Sequence, residues 1–185
     1  ESDRLAVIYR VNHWATILSN QGDEPRMKDP KLNFSHVYSR NPVDRGETVR
    51  RDDEWIADKA KGATSRFLPL RDLNILVTEG AQEGLGWVGS SDLERLGVDA
   101  TPIFLGLLDD TAHFTVDISA QERALLELSE GSGFRFVDAR SVTDILSPSD
   151  SGIVAQARAQ INWHNVNGFC AICGGETHMG RGGQV

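Results

Sequence analysis

Residues 155–183, AQARAQINWHNVNGFCAICGGETHMGRGG, decide how the rest of the chain is interpreted. The alanine-rich run that ends in Trp163-His164 predicts a helix, and a polar turn then leads to Cys170-Ala-Ile-Cys173. Cys-x-x-Cys-Gly is typical of one knuckle of a zinc ribbon, which needs two knuckles to place four thiolates around one zinc ion. The 185 residues contain only these 2 cysteines. We therefore expect the front part of a longer protein, with an incomplete zinc ribbon at residues 166–185.

Other interpretations of Cys170 and Cys173 stay open at this point. The two thiols could be inert. A redox pair needs the motif where a strand turns into a helix, because the helix N-terminus lowers a thiol pKa, whereas this motif follows a helix. His178 could add a third ligand, but the glycine-rich sequence around it does not constrain the geometry. We rank the zinc half-site first, inert thiols second and redox chemistry third.

Composition excludes several classes of protein. Apolar residues make up 39% and charged residues 25%, as in an ordinary globular domain. The net charge of −8 disfavours nonspecific nucleic-acid binding, which uses many Lys and Arg side chains. No apolar run approaches the roughly 18 residues of a membrane span, and no signal peptide opens the chain. Two cysteines are no disulfide framework, so we expect a reducing, cytoplasmic setting and a trimmed start at Glu1.

Hydrophobic patterns and turn residues predict an irregular series of strands and helices. Residues 6–20 could be a strand followed by a short helix, and residues 21–31 form a loop. A helix starts at Asp52 or Asp53 and stops at Gly62. Two capping boxes, Ser91–Glu94 and Ser119–Glu122, start further helices. The remaining elements are strands at 66–70, 73–78, 87–88 and 134–137, a hairpin at 103–108 and 113–118, a helical turn at 141–146, and a last helix at 150–164.

This series favours an α+β fold over a doubly wound sheet. We predict a mixed, mostly antiparallel sheet with several short helices, ending in a helix that leads into the incomplete zinc ribbon. Residues 1–165 form the main domain and residues 166–185 the truncated knuckle.

Several side chains have an expected environment. One stripe of the last helix, Ile153, Ala157 and Ile161, should face the core, and Trp163 should pack that helix onto it. His113 should be solvated, because it alternates with apolar residues of its strand. Exposed ion pairs with Asp44, Asp52 and Asp53 are expected for three arginines: Arg45, Arg50 and Arg51.

The chain resembles the NADH pyrophosphatases, the NudC-type Nudix hydrolases. The resemblance is most specific at the end, where an alanine-rich helix, Trp163-His164, Phe169-Cys170, Cys173-Gly174, Thr177 and Gly182-Gly183 match that family's pattern. Looser matches lie upstream, at 44–45, 50–55, 66–70, 104–107, 113–114 and 136–140. The second cysteine pair and the Nudix box, whose glutamates bind magnesium or manganese, do not occur in these residues.

The resemblance implies what a longer protein would do. It would hydrolyse the diphosphate of NADH or NAD to nicotinamide mononucleotide and AMP, with Mg²⁺ or Mn²⁺, and related enzymes remove NAD caps from RNA. The zinc at Cys170 and Cys173 would be structural, the protein a homodimer, and Arg135 and Arg71 basic groups near the substrate. Without a Nudix box, these residues alone should be inactive and serve as scaffold, dimer contact or substrate support. The alternative is a noncatalytic interaction module that shares a zinc site with a partner chain.

Overall fold

A computed structural model describes Tyr38, Asp144 and residues 40–80, 83–129, 132–142 and 146–184. The predictions for residues 6–31 lie outside these ranges. The helices are α1 (Asp53–Lys61), α2 (Ser90–Leu96), α3 (Glu122–Ser129), α4 (Ala139–Val142) and α5 (Pro148–Val166). The strands are β1 (Arg66–Arg71), β2 (Asn74–Thr78), β3 (Val88–Gly89), β4 (Ile103–Leu108), β5 (Thr111–Asp117) and β6 (Phe134–Val137).

The six strands form one mixed, mostly antiparallel sheet. Its order is β4-β5-β1-β2-β6, and β3 pairs with the start of β1. Only β1 and β5 run parallel among these strand pairs, with Phe67 opposite Phe114. The sheet and its short helices confirm the predicted α+β fold. Within the part of the chain that the structure describes, no helix is long and apolar enough to cross a bilayer.

Helices cover both faces of the sheet. On one face α5 inserts Ile153, Ala157 and Ile161 into a core built on β1, β2 and β4. This confirms the predicted stripe, since all three side chains are buried. On the other face α2 and α3 pack on Phe67, Phe104, Phe114 and their neighbours, and Trp55 and Ile56 of α1 join that core.

The prediction that His113 is solvated is wrong. Its side chain is buried at 7% exposure, because the face that the alternation assigned to water is covered as well. Nδ1 lies 2.9 Å from the carbonyl oxygen of Thr111, and the ring meets Trp87 edge-on at 4.8 Å between centroids. Burial lowers the pKa of His113 below its usual value.

Local signals place the start of α1 and the end of α2 correctly. Asp52 caps α1 by accepting a hydrogen bond from the N–H of Trp55, as predicted. Gly97 ends α2 in the left-handed conformation, at φ 68°. Helix α5 begins at Pro148, two residues before the predicted start; the missing N–H of proline costs nothing at the first position of a helix, and Ser147 is the cap.

Three boundary predictions are wrong in detail. Helix α2 is capped at Gly89, whose N–H donates to the side chain of Asp92. The capping box is therefore not the predicted Ser91–Glu94 pair. Ser119 does not cap α3, because its hydroxyl donates to Asp117 and accepts from the N–H of Asp72. The β1–β2 turn is Asp72-Leu73, both at positive φ, one position later than predicted.

Candidate functional site

The predicted cysteine pair lies at the tip of a small hairpin that follows α5, which we call the knuckle hairpin (residues 167–177). Phe169 and Glu176 form an antiparallel bridge. The N–H of Cys170 donates to the carbonyl of Gly175 at 2.8 Å, and the N–H of Gly174 donates back to Cys170 at 2.9 Å. Gly174 has φ 70°, a conformation that favours glycine, so the glycine after the motif is what closes the turn.

Hydrogen bonds within the hairpin stabilise the ionised form of Cys170. Its pKa is lowered, first by a hydrogen bond from the N–H of Cys173, then by the N–H of Ile172 and by the Cys173 thiol. These donors favour the thiolate, which is the form that binds metals. Cys170 is half-buried and Cys173 exposed, and both are free. The hairpin therefore places the two thiols within hydrogen-bonding reach of each other.

The donor set fits half of a zinc site. Zinc in structural sites is held by four ligands in a tetrahedron, and the hairpin supplies two sulfurs with backbone donors directed at one of them. Among the residues that the structure describes, no group of three or more His, Cys, Asp and Glu side chains is arranged to hold a metal ion. His178 is thus not assembled with the two thiols as a third ligand.

The residues after the knuckle hairpin return to the sheet and are fastened there. Gly182 and Gly183 lie against β4: a Cβ on Gly183 would come within 2.7 Å of the Ile103 side chain. The ring nitrogen Nε2 of His164 lies 2.8 Å from the carbonyl oxygen of Gly183. The Gly-Gly pair therefore lets the chain approach the sheet closely, and His164 ties it to α5.

Arg50 is the least expected residue of this region. It is buried at 2% exposure, so the predicted exposed ion pair is wrong. Its guanidinium donates to the carbonyls of Arg45, Leu105 (2.8 Å) and Arg181 (3.5 Å), and lies 4.8 Å above the Phe104 ring. Burial lowers the pKa of Arg50. No local pattern distinguishes Arg50 from Arg51, so the sequence carries no signal for this role.

A cleft of about 400 Å³ opens between the end of α5 and the knuckle hairpin. Trp163 and Phe169 line it and are 57% and 66% exposed. The prediction that Trp163 packs α5 onto the core is therefore wrong: the core stripe of α5 ends at Ile161, and position 163 faces away from it. The other lining residues are His164, Asn167, Cys170, Ala171, Thr177, His178 and Gln184.

The structure does not bring Arg71 and Arg135 together. Arg135 pairs with Val77 across β6 and β2, on the face covered by α5, because cross-strand partners share a face. Arg71 lies on the opposite face, in a shallow groove beside α3. Each contacts a carboxylate: Arg135 with Glu83 at 2.7 Å and Arg71 with Asp72 at 3.7 Å.

Comparison with known proteins finds similarity to Nudix-type proteins in each case. A family model described as "NADH pyrophosphatase-like rudimentary NUDIX domain" matches residues 64–163. NAD-capped RNA hydrolase NUDT12 of Homo sapiens is 23% identical over 213 residues, covering 97% of this chain. The chain spans 46% of that relative's length. Nudix hydrolase 19, chloroplastic, of Arabidopsis thaliana is 32% identical over 115 residues, covering 54% of this chain and 26% of the relative.

Proposed function

The chain belongs to the family of NADH pyrophosphatase-like rudimentary NUDIX domains, and we propose that it is the N-terminal support domain of an NAD(H) diphosphatase. The longer protein would hydrolyse NADH or NAD to nicotinamide mononucleotide and AMP. The match at residues 64–163, continued by the knuckle hairpin, is the observation that carries this proposal. The name of the relative NUDT12 adds NAD-capped RNA as a candidate substrate.

The described residues supply support rather than chemistry. Diphosphate hydrolysis by such enzymes uses divalent metal ions to neutralise phosphate charge and orient water. The Nudix box that would hold Mg²⁺ or Mn²⁺ is absent from the 185 residues. We therefore propose that these residues are inactive alone, and that they scaffold the catalytic part, contribute to a homodimer, or support the substrate site.

Cys170 and Cys173 would hold a structural zinc ion in the longer protein. The hydrogen bonds to Cys170 favour the thiolate that zinc requires. A second thiolate pair would complete the site. The role of zinc there is to fix the ribbon, not to bind substrate.

The proposal is tested by comparing this chain with the coding sequence extended beyond Val185. Both proteins are incubated with NADH and Mg²⁺ or Mn²⁺, and nicotinamide mononucleotide and AMP are measured. Release of both products by the extended protein alone is expected. Cleavage by the 185 residues would refute the support role, and no cleavage by the extended protein would refute the diphosphatase.

A second candidate is a noncatalytic interaction module that shares its zinc site with a partner chain. It is favoured by the exposed apolar side chains of Val166, Phe169 and Ile172, at the end of α5 and in the knuckle hairpin, since large exposed apolar side chains grouped together mark interaction sites. This candidate predicts one zinc ion per two chains in a dimer that zinc stabilises, whereas the support-domain proposal predicts that zinc does not change the association of the 185-residue chain, because the second thiolate pair lies in the longer protein. Native mass spectrometry with and without zinc distinguishes them.

A further inference from the structure

The cleft beside the knuckle hairpin has two aromatic walls. Trp163, at the end of α5, and Phe169, at the start of the hairpin, are exposed by more than half. Hydrogen bonds hold the backbone at both residues: Asn167 donates to the carbonyl of Trp163 at 2.8 Å, and Phe169 is bridged to Glu176. Flat, exposed rings held on a rigid support are what nucleic-acid proteins use to stack bases.

Polar groups with unused hydrogen-bonding capacity line the same cleft. Within the described part of the chain, the ring nitrogens of His178 have no protein partner. Asn167 and Gln184 each donate one amide hydrogen bond, to Trp163 and Glu47, which leaves both amide oxygens as acceptors. Side-chain amides and imidazoles match the donor and acceptor groups on the edge of a nucleobase. The cleft thus combines stacking surfaces with edge-reading groups.

The cleft does not attract phosphate. None of the described residues that line it is Lys or Arg. Binding that depends on phosphate contacts weakens steeply with salt, so a ligand held here through its ring would show little salt dependence. The volume of about 400 Å³ lies within the range of small-ligand sites, roughly 300–1,000 Å³.

We propose that the cleft formed by Trp163, Phe169, Asn167, His178 and Gln184 is a nucleobase-binding site. The inference rests on the proposed function for the source of the base. Either a base of the dinucleotide itself or a base of an attached single-stranded RNA supplies the ring. Both share the same chemistry, stacking on aromatic walls with hydrogen bonds to the edge.

The test is a titration of the ¹⁵N-labelled chain followed by the indole N–H resonance of Trp163, assigned by its loss in Trp163→Phe. AMP, nicotinamide mononucleotide and a short adenine oligoribonucleotide are the ligands, and inorganic phosphate is the control ligand. AMP is expected to shift the Trp163 resonance saturably and leave that of Trp87 unchanged. Raising KCl from about 50 to 300 mM should change the Kd less than about twofold.

Variants separate stacking from general structure. Trp163→Leu and Phe169→Leu should each raise the Kd about 5- to 100-fold, as expected for loss of one stacking surface. Trp163→Phe keeps a ring and should retain most of the affinity, measured by the shift of the Gln184 side-chain amide. Leu126→Ala is the matched control, since Leu126 is 59% exposed but lies on α3, and it should have no effect.

The outcomes separate this inference from the proposed function. Saturation by AMP and nicotinamide mononucleotide alike would assign the site to the dinucleotide, and preference for the oligoribonucleotide would assign it to RNA. Three results would each overturn the nucleobase site. Inorganic phosphate could cause the same shifts as AMP, or the Kd could rise steeply with salt. The resonances could also move with protein concentration, which would mean that a second copy of the chain covers both rings. Absence of AMP binding combined with NADH cleavage by the extended protein would overturn the cleft alone.

Discussion

Replacing the buried Arg50 tests whether its hydrogen bonds outweigh the cost of burying its charge. Arg50→Ala removes the side-chain donor of the Arg45 carbonyl and a weaker bond to Arg181. It also removes one of two donors of the Leu105 carbonyl, which keeps its bond from the Gln156 amide. The Arg45 carbonyl left without a donor costs about 1–3 kcal/mol, and the lost charged hydrogen bond to Leu105 about 1.5–3 kcal/mol. The lost contact with the Phe104 ring costs about 0.5–2 kcal/mol. The sum, reduced because the variant no longer buries a charge, predicts a loss of about 3–5 kcal/mol in the free energy of unfolding.

The assay is equilibrium unfolding in guanidinium chloride, with the midpoint and slope both fitted. Arg51→Ala is the matched control: Arg51 is the next residue, is exposed, and its loss should change stability by less than about 0.5 kcal/mol. Arg50→Lys keeps the charge but not the planar fork, so an intermediate loss is expected. A loss below about 1 kcal/mol for Arg50→Ala at unchanged slope would refute the reasoning, because desolvation would then cancel the gain.

Three further predictions concern the sheet. Burial lowers the pKa of His113 below 6.5, so the unfolded chain binds this proton at a higher pH than the folded chain does. The contribution of neutral His113 to stability is therefore complete above about pH 6.5 and is lost as the pH falls toward the folded pKa. Urea unfolding at several pH values should show this loss, and the loss should disappear in His113→Phe. Asp110 has φ 60° in the β4–β5 turn, so Asp110→Gly should raise the stability by about 0.5–1 kcal/mol in thermal unfolding; a fall would contradict the argument from backbone conformation. Gly106→Ala would place a Cβ 2.1 Å from the carbonyl oxygen of Asp44 and should lower the free energy of unfolding by about 3 kcal/mol or more. Gly80→Ala is the control, because Gly80 also has a positive φ but lies in open space, and it should cost about 1 kcal/mol. Equal losses of stability would show that backbone strain, not the steric clash, sets the cost at Gly106.

Features set by neighbouring residues could be predicted from the sequence. The Asp52 cap, the β4–β5 hairpin and the buried stripe of α5 each depend on fewer than about 20 consecutive residues, and each is present. The knuckle hairpin is also a local feature, because its turn is closed by its own backbone hydrogen bonds and by Gly174.

Features set by distant contacts could not be predicted. His113 is buried because helices cover both faces, which alternation within one strand does not reveal. Arg50 differs from Arg51 only because carbonyls from Leu105 and Arg181, far along the chain, meet its guanidinium. Leu73 holds φ 63° in the β1–β2 turn, a conformation that glycine and asparagine favour, so the residue type gave no sign that the turn lies one position later than predicted.

The parallel contact between β1 and β5 has a consequence for how the chain folds. The β1–β2 and β4–β5 hairpins are local, whereas their junction joins Leu68 to Thr115 across 47 residues. Loop closure of that length delays the junction relative to the hairpins. Pulse-labelling hydrogen exchange should therefore protect amides that bond within each hairpin before those that bridge β1 and β5, and simultaneous protection of both sets would show that the sheet assembles in one step. Hydrophobic edges of two half-sheets would be exposed together during this interval, when the chain is most prone to associate with another copy.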